Sequence, residues 1–297
     1  MALTYIEASE GFLGLEGDDA FRSSDAKAVL IPFGLEKTTS YGSGTDKGPA
    51  AILEASHQAE LFDEETWSEP FRDYGVATLA ETAIPDRLED ALDVLEQTVE
   101  AVLEAGKFPL VLGGEHSLTA GSIRPFAKRH DDLVVLQFDA HADLRDGYDG
   151  EHYSHAAAMC RVLDHDNVSL VSVGIRNISA EEIPFLENNK ERISIFWAKD
   201  KSDWDVQQIV DLVKGKKVYI TFDLDGFDSS LMPATGTPEP GGLFFDETLK
   251  ILRKVCAVSE IVGADVVELA PIKGLHACDF LAAKLCYKML TYSLTDI

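Results

Sequence analysis

Along almost its whole length the chain alternates short apolar, β-branched runs with longer segments of helical periodicity. A chain patterned in this way folds as strands joined by crossover helices, because parallel strands cannot be linked by tight turns and need a long connection that packs back on the sheet. The expected strands are residues 28–32, 108–112, 133–138, 169–174, 193–196, 217–222 and 261–267. The clearest helix is expected over residues 86–105, where Leu88, Ala91, Leu92, Leu95, Val99, Val102 and Leu103 recur at spacings of three and four. Gly106 then stands at the usual stop beyond a helix C-terminus. No composition shift, internal repeat or low-complexity stretch divides the sequence, so residues 1–297 are expected to form a single α/β domain with a mostly parallel sheet. The acidic stretch Asp63, Glu64 and Glu65 reads as a solvated loop.

Charge and composition narrow the partners. The 297 residues include 26 Lys or Arg against 52 Asp or Glu, a formal charge of −26, and 45% are hydrophobic. That apolar share supports a core and sets the chain apart from disordered sequences of similar charge. No basic surface remains to release counterions from a nucleic-acid backbone or to meet anionic lipid, so neither partner is expected. An acidic field gathers cations instead. Cys160, Cys256, Cys278 and Cys286 form no Cys-x-x-Cys pair, which argues against a disulfide framework or a zinc knuckle. The first residues carry no basic leader, and nowhere do about 18 apolar residues run together, so a soluble, cytoplasmic protein is expected.

In open parallel sheets ligands bind beyond the carboxyl ends of the strands, so the polar residues just after each run are the ones to inspect. Gly113-Gly114-Glu115-His116-Ser117 follows the run 108–112, and its two glycines read as a strand-to-helix turn that aims His116 at the sheet edge. Asp139-Ala140-His141-Ala142-Asp143 follows the run 133–138; alternation along an extended segment brings Asp139, His141 and Asp143 to one side. Asp223-Leu224-Asp225-Gly226 repeats the pattern after 217–222, with Asp228 nearby as either a further acid or a turn residue. Carboxylates gathered this closely repel one another and are costly to desolvate unless a cation neutralises them. Oxygen-rich donors with a minority of imidazole and no thiolate suit Mn²⁺ ahead of Ni²⁺, Co²⁺ or Zn²⁺. Two such ions about 3.5 to 4 Å apart lower the pKa of a water held between them, and the reaction class that follows is hydrolysis.

These stretches carry a resemblance. GGEHS at 113–117, DAHADLRD at 139–146, SHA at 154–156, FDLDGFDSSLMPATGTPEPGGL at 222–243 and VVELAP at 266–271 resemble the ureohydrolase superfamily, which includes arginase and agmatinase. The likeness extends from the Gly-rich segment around Tyr41 to Pro49 through to the C-terminal helix. It implies a three-layer α/β/α domain with a mostly parallel central sheet, two Mn²⁺ per subunit, and assembly as homotrimers or homohexamers. Carried onto this sequence, it makes His116, Asp139, Asp143 and Asp223 ligands of one ion and Asp139, His141, Asp223 and Asp225 ligands of the other, with Asp139 and Asp223 bridging. It places His155 where the family has its proton-shuttling histidine and Glu268 where the family has the carboxylate that receives the guanidinium. Asp225 is then the group that holds the proton of the attacking hydroxide. Ala142 departs from the family's common Thr at a position that points away from the metals.

The resemblance is strongest to agmatinases, because the loop 144–154 lacks the arginase pattern of small hydroxyl and amide side chains and reads DLRD-x-Y followed by Y-S-H. Agmatine, cleaved to putrescine and urea, is the expected substrate, a small cationic guanidine bound by Glu268, Arg145, Tyr153 and His155. Lys273 and His276, placed near the pocket rim by the segment 271–276, raise the alternative of a guanidino acid such as guanidinobutyrate or guanidinopropionate; arginase, formiminoglutamase or a non-catalytic homologue are further alternatives.

Overall fold

A strand covered on both faces has no reason to alternate apolar and polar side chains, and the strands of this chain read as nearly unbroken apolar runs because helices cover both sides of one sheet. The computed structural model describes residues 2–296. Its strands are β1 (Ala28–Phe33), β2 (Val76–Thr78), β3 (Phe108–Gly113), β4 (Leu133–Phe138), β5 (Val168–Ile175), β6 (Ile193–Trp197), β7 (Lys217–Asp223) and β8 (Glu260–Val267). All pair in parallel, in the spatial order β2-β1-β3-β8-β7-β4-β5-β6.

Successive residues on a strand serve opposite faces. Leu110 and Leu112, Val134, Leu136 and Phe138, and Ile220 and Phe222 pack on one side, with Leu249, Leu252 and Val255 of the helix Phe245–Cys256 and Leu285 and Met289 of the helix His276–Leu294. Val111, Leu133, Val135 and Tyr219 pack on the other, with Leu92, Leu95 and Val99 of the helix Leu88–Glu104. The three-layer architecture is therefore the one expected. The long helix lies inside the expected range 86–105, and Gly106 beyond it has φ +69°. All seven expected strands form, most of them a residue or two longer; β2 was not expected, being three residues at the sheet edge paired only with β1. Among the described residues no helix is long and apolar enough to cross a membrane.

The order of the strands positions the site. Strands β3 and β4 follow one another in the chain but are separated in the sheet by β8 and β7. The chain thus reverses its direction of winding across the four central strands, and the crevice at their carboxyl ends is where a sheet of this kind accepts ligands.

In the stretch Asp63, Glu64 and Glu65 the last two are exposed as expected, and Asp63 is a correction. Asp63 is fully buried, 2.7 Å from the ammonium of Lys288, which is itself fully buried on the C-terminal helix. Asp63 Oδ1 also accepts the amides of Glu65 and Thr66, each at 3.0 Å. A local acidic run carries no sign that a lysine more than two hundred residues later will close over it. Burial on its own raises the Asp63 carboxyl, but Lys288 and the two amides outweigh it and hold the group below its ordinary 3.8. The folded-state value being the lower one, this contribution to stability is complete above pH 3.8 and disappears as pH falls through the depressed value. Lys288→Met, which leaves Asp63 buried and unpaired, is expected to destabilise the fold by about 3–5 kcal/mol in denaturant titrations at neutral pH. Adding Asp63→Leu is expected to recover most of that loss; no recovery would mean that the pair does not act as a unit.

Candidate metal centre

The register levels the strand ends. Phe138 pairs with Phe222 and Asp223 with Val267, so Asp139 leaves β4 beside Asp223 at the end of β7, and Glu268 follows immediately on β8. Two glycines permit the close approach. A Cβ at Gly114 would collide with the carbonyl oxygen of Leu35, and one at Gly226 would lie 2.9 Å from Asp139 N. Gly114 also accepts the Glu268 amide at 2.8 Å, tying the ends of β3 and β8 together. Asp143 and Glu268 adopt left-handed backbone angles, φ +52° and +67°. Such conformations in residues other than glycine cost about 1–3 kcal/mol and persist where surrounding contacts over-determine them.

The carboxylates gather in two sets. His116 Nδ1 lies 3.1 Å from Asp139 Oδ2, 3.1 Å from Asp143 Oδ2 and 3.3 Å from Asp223 Oδ2. His141 Nδ1 lies 2.9 Å from Asp225 Oδ2 and 3.7 Å from Asp139 Oδ1. His116, Asp139 and Asp223 offer one group of converging ligand atoms and Asp139, His141 and Asp225 a second, with Asp139 common to both. Asp223 converges with the first group, and its Oδ1 accepts the Asp225 amide at 2.8 Å, which ties it to a residue of the second.

The donor set fits divalent metal. His116 Nδ1 is buried and makes no well-formed hydrogen bond, although three carboxylate oxygens surround it. That is the arrangement of donors around a common partner. The electrostatics agree. Burial raises the Asp139 carboxyl, but the His116 and His141 imidazoles outweigh it and hold it well below the usual carboxylate range. Burial and the Asp139 charge push Asp143 up to about 7, and burial with Asp225 and Asp139 carries Asp223 well above its ordinary value. Burial disfavours the protonated imidazoles, yet the surrounding carboxylates hold both His116 and His141 far above 6.5. Behind the ligands, His116 Nε2 lies 2.8 Å from Thr221 Oγ1. The buried Asp265 accepts from Thr119 Oγ1 at 3.0 Å and Tyr219 Oη at 2.7 Å. Partners of this kind fix the orientation of a ligating imidazole; nothing in the local sequence singles out Thr221 or Asp265.

A cavity of about 170 Å³ opens above these groups, and His116, His141, Asp143, Asp223, Asp225, His155 and Glu268 all line it. Glu268 Oε1 accepts the His116 amide at 2.7 Å. Burial and the neighbouring Glu115 push the Glu268 carboxyl up to about 8. The profile of the arginase family matches residues 26–291. The chain belongs to the arginase family. It is similar to the N(1)-aminopropylagmatine ureohydrolase of Synechocystis, 37% identical over 94% of this chain and 92% of the relative. It is similar also to the agmatinase of Pyrococcus horikoshii, 31% identical over 91% and 93%. Among solved structures, the agmatine ureohydrolase of Thermoplasma volcanium superposes with a TM-score of 0.83 at 30% identity, covering 99% of this chain and 95% of the other. This arginase-family chain is thus a ureohydrolase, a hydrolase of guanidino C–N bonds.

The rim differs from expectation. Tyr153, expected against substrate, does not line the cavity of this arginase-family chain; its ring packs on the core beneath Arg124, 5.7 Å from the guanidinium carbon. Tyr148, from the same loop, lines it instead. Arg145 does line it, paired with Glu181 at 2.5 Å and stacked on the Tyr148 ring. Lys273 and His276 are exposed and outside the cavity lining, because the turn at Gly274, φ +86°, carries them to the start of the C-terminal helix. Asp228 is a turn residue: Ser230 and the amides of Gly241 and Gly242 bind its carboxylate and push it down to about 2. Wall residues without a sequence signal include Ser179, Glu182 and Thr237.

Imidazoles whose protonated form is favoured by neighbouring carboxylates must lose that proton before they ligate, so metal binding releases protons and tightens as pH rises. Calorimetric titration of the metal-free chain with Mn²⁺ in buffers of different ionisation enthalpy is expected to record net proton release, with affinity increasing from about pH 6 to about pH 8. Asp139→Asn is expected to weaken both ion sites at once, since one carboxylate serves both groups; two tightly bound ions in that variant would refute the shared arrangement.

Proposed function

We propose that this chain hydrolyses a linear, amine-terminated alkylguanidine to urea and an amine, with agmatine cleaved to putrescine as the first reading. The observation that carries it is the convergence of two metal-ligating groups, His155 and Glu268 on one acidic cavity. A Mn²⁺ pair held by His116, Asp139, Asp143 and Asp223 on one side and by Asp139, His141 and Asp225 on the other would neutralise the carboxylates and supply a water activated at neutral pH. The proposed assembly is a homotrimer or homohexamer in the cytoplasm.

The chain's own residues then have separate tasks. Glu268 keeps Oε1 on the His116 amide. Its Oε2, with no protein donor among the described residues, accepts the guanidinium N–H groups and orients the carbon to be attacked. A bound guanidinium favours the ionised carboxylate, so binding itself offsets the raised Glu268 titration. Asp225 holds the proton released as water adds. His155, whose titration burial moves below 6.5, returns a proton at nitrogen to the departing amine. Water stays out on the sheet side, where the floor of the cavity is formed from fully buried strand ends.

A second reading extends the tail. Tyr148 and Thr39 also line a neighbouring depression of about 530 Å³, in whose wall the acids Asp86, Glu89, Asp149 and Glu151 outnumber the bases Lys37 and Arg87. That continuation favours a guanidine with an additional aminoalkyl arm, such as aminopropylagmatine. A carboxylate tail finds less support, because the guanidinium of Arg145 is already paired.

The test is urea release by Mn²⁺-loaded chain with agmatine, N-(3-aminopropyl)agmatine, guanidinobutyrate and arginine in parallel. The amine-terminated guanidines are expected to exceed the other two in kcat/KM by about tenfold or more. Preference between the first two decides the readings, and preference for guanidinobutyrate overturns both. His155→Asn is expected to keep two metals and lose about 10²- to 10⁴-fold in kcat; loss of metal in that variant would contradict the proton-transfer role.

A further inference from the structure

The loop after β1 and the turn after β3 meet in a hydrogen-bonded chain that reaches His155 from behind. Thr38 Oγ1 donates to Glu115 Oε1 at 2.9 Å, accepts the backbone N–H of His155 at 3.0 Å, and lies 3.0 Å from His155 Nδ1. Glu115 is fully buried. Its Oε2 accepts the amides of Lys37 and Thr38 at 2.7 and 2.6 Å, and its Oε1 accepts Ser117 Oγ at 2.5 Å as well as Thr38. A carboxylate with four donors has its lone-pair sites filled and acts only as an acceptor.

Proton counting then fixes the ring. A threonine hydroxyl has one hydrogen, and that of Thr38 is committed to Glu115. Toward His155 its oxygen is only an acceptor, so Nδ1 makes the 3.0 Å hydrogen bond as an N–H donor. The other hydroxyl near Nδ1, Ser154 Oγ, stands farther off at 3.4 Å. With Nδ1 engaged, Nε2 is the nitrogen left for proton exchange on a side chain that lines the cavity.

We propose that Thr38, itself fixed by Glu115, is a positioning residue that holds His155 in the Nδ1–H tautomer and so reserves Nε2 for proton transfer. The inference rests on the reading of His155 given above and adds which nitrogen acts and what selects it. In the cycle, neutral His155 gains a solvent proton at Nε2 and becomes imidazolium. The Nε2 proton passes to the amine nitrogen as the C–N bond breaks and its electron pair goes to that nitrogen. Nδ1–H stays on Thr38 throughout, and Thr38 and Glu115 exchange no proton.

Three variants and one spectrum test this. Thr38→Val keeps the shape but removes the hydroxyl; in Mn²⁺-loaded enzyme it is expected to lose about 10- to 100-fold in kcat with KM and metal content little changed. Thr38→Ser is expected to rescue most of that loss. His155→Asn measures how much turnover depends on the histidine at all. If it lowers kcat while Thr38→Val does not, the positioning role is overturned and the proton-transfer reading stands; if His155→Asn has no effect, that reading itself fails. The spectrum is independent of activity. Ring ¹⁵N shifts of His155 in the metal-free chain, assigned by difference from His155→Asn, are expected to show a protonated Nδ1 and a bare Nε2 at neutral pH. They are expected to move toward the other tautomer in Thr38→Val. An Nε2–H tautomer in the unmodified chain would overturn the proposal even if every variant folded poorly.

Discussion

Four aspartates and two imidazoles held largely out of water at the ends of neighbouring strands are the constraint to which the rest of the structure answers. So much like charge is tolerable only where each group is bonded and oriented. The backbone supplies part of this. Asp139 Oδ1 takes the His141 amide, Asp223 Oδ1 the Asp225 amide, Asp225 Oδ1 the Ala140 amide and Glu268 Oε1 the His116 amide. In Asp223 and Asp225 one oxygen is thereby anchored while the other faces an imidazole, at 3.3 and 2.9 Å. The left-handed backbone at Asp143 and Glu268 is the conformational cost of turning acids inward at positions where the strands end.

The strands were legible because burial on both faces leaves a plain mark on sequence, and the acids because alternation after a strand is a geometric statement. Asp139, His141 and Asp143 do converge, and Ala140 and Ala142 between them are buried, at 0% and 2% exposure. What escaped was set by distant partners. The edge strand β2 is too short for a periodic signal. Asp63 looked solvated because Lys288, which buries it, lies at the other end of the chain. Tyr153 and Tyr148 sit in one irregular loop, where no period tells which ring faces the cavity.

The roles of His155 and Glu268 entered through resemblance, and geometry now gives them physical content. Glu268 is bound through one oxygen to the backbone of His116, so the positions of the two side chains are not independent. His155 is held at the opposite wall through its main chain and its ring by the same hydroxyl. Glu115, one residue before His116, ties that wall to the floor. On the proposed reading, the turn after β3 is therefore a junction of three tasks: ligand placement, guanidinium orientation and proton transfer.

The floor and the rim obey different physics. The floor extends from paired strand ends and is tied by backbone amides to its carboxylates, and on the proposed reading it meets what every guanidine shares, a planar cation. The rim is made of loops, and its charges are largely neutralised in pairs: Arg145 with Glu181, Arg161 with Asp146, Arg87 with Glu89 and Asp90. In the adjoining depression the acids Asp86, Glu89, Asp149 and Glu151 outnumber Lys37 and Arg87, so charge leans toward a cationic tail while length and shape discriminate among such tails. The ring of Tyr148, braced by Arg145 and lining both the cavity and its continuation, is on the proposed reading the element best placed to decide whether a short or a longer amine tail is accommodated.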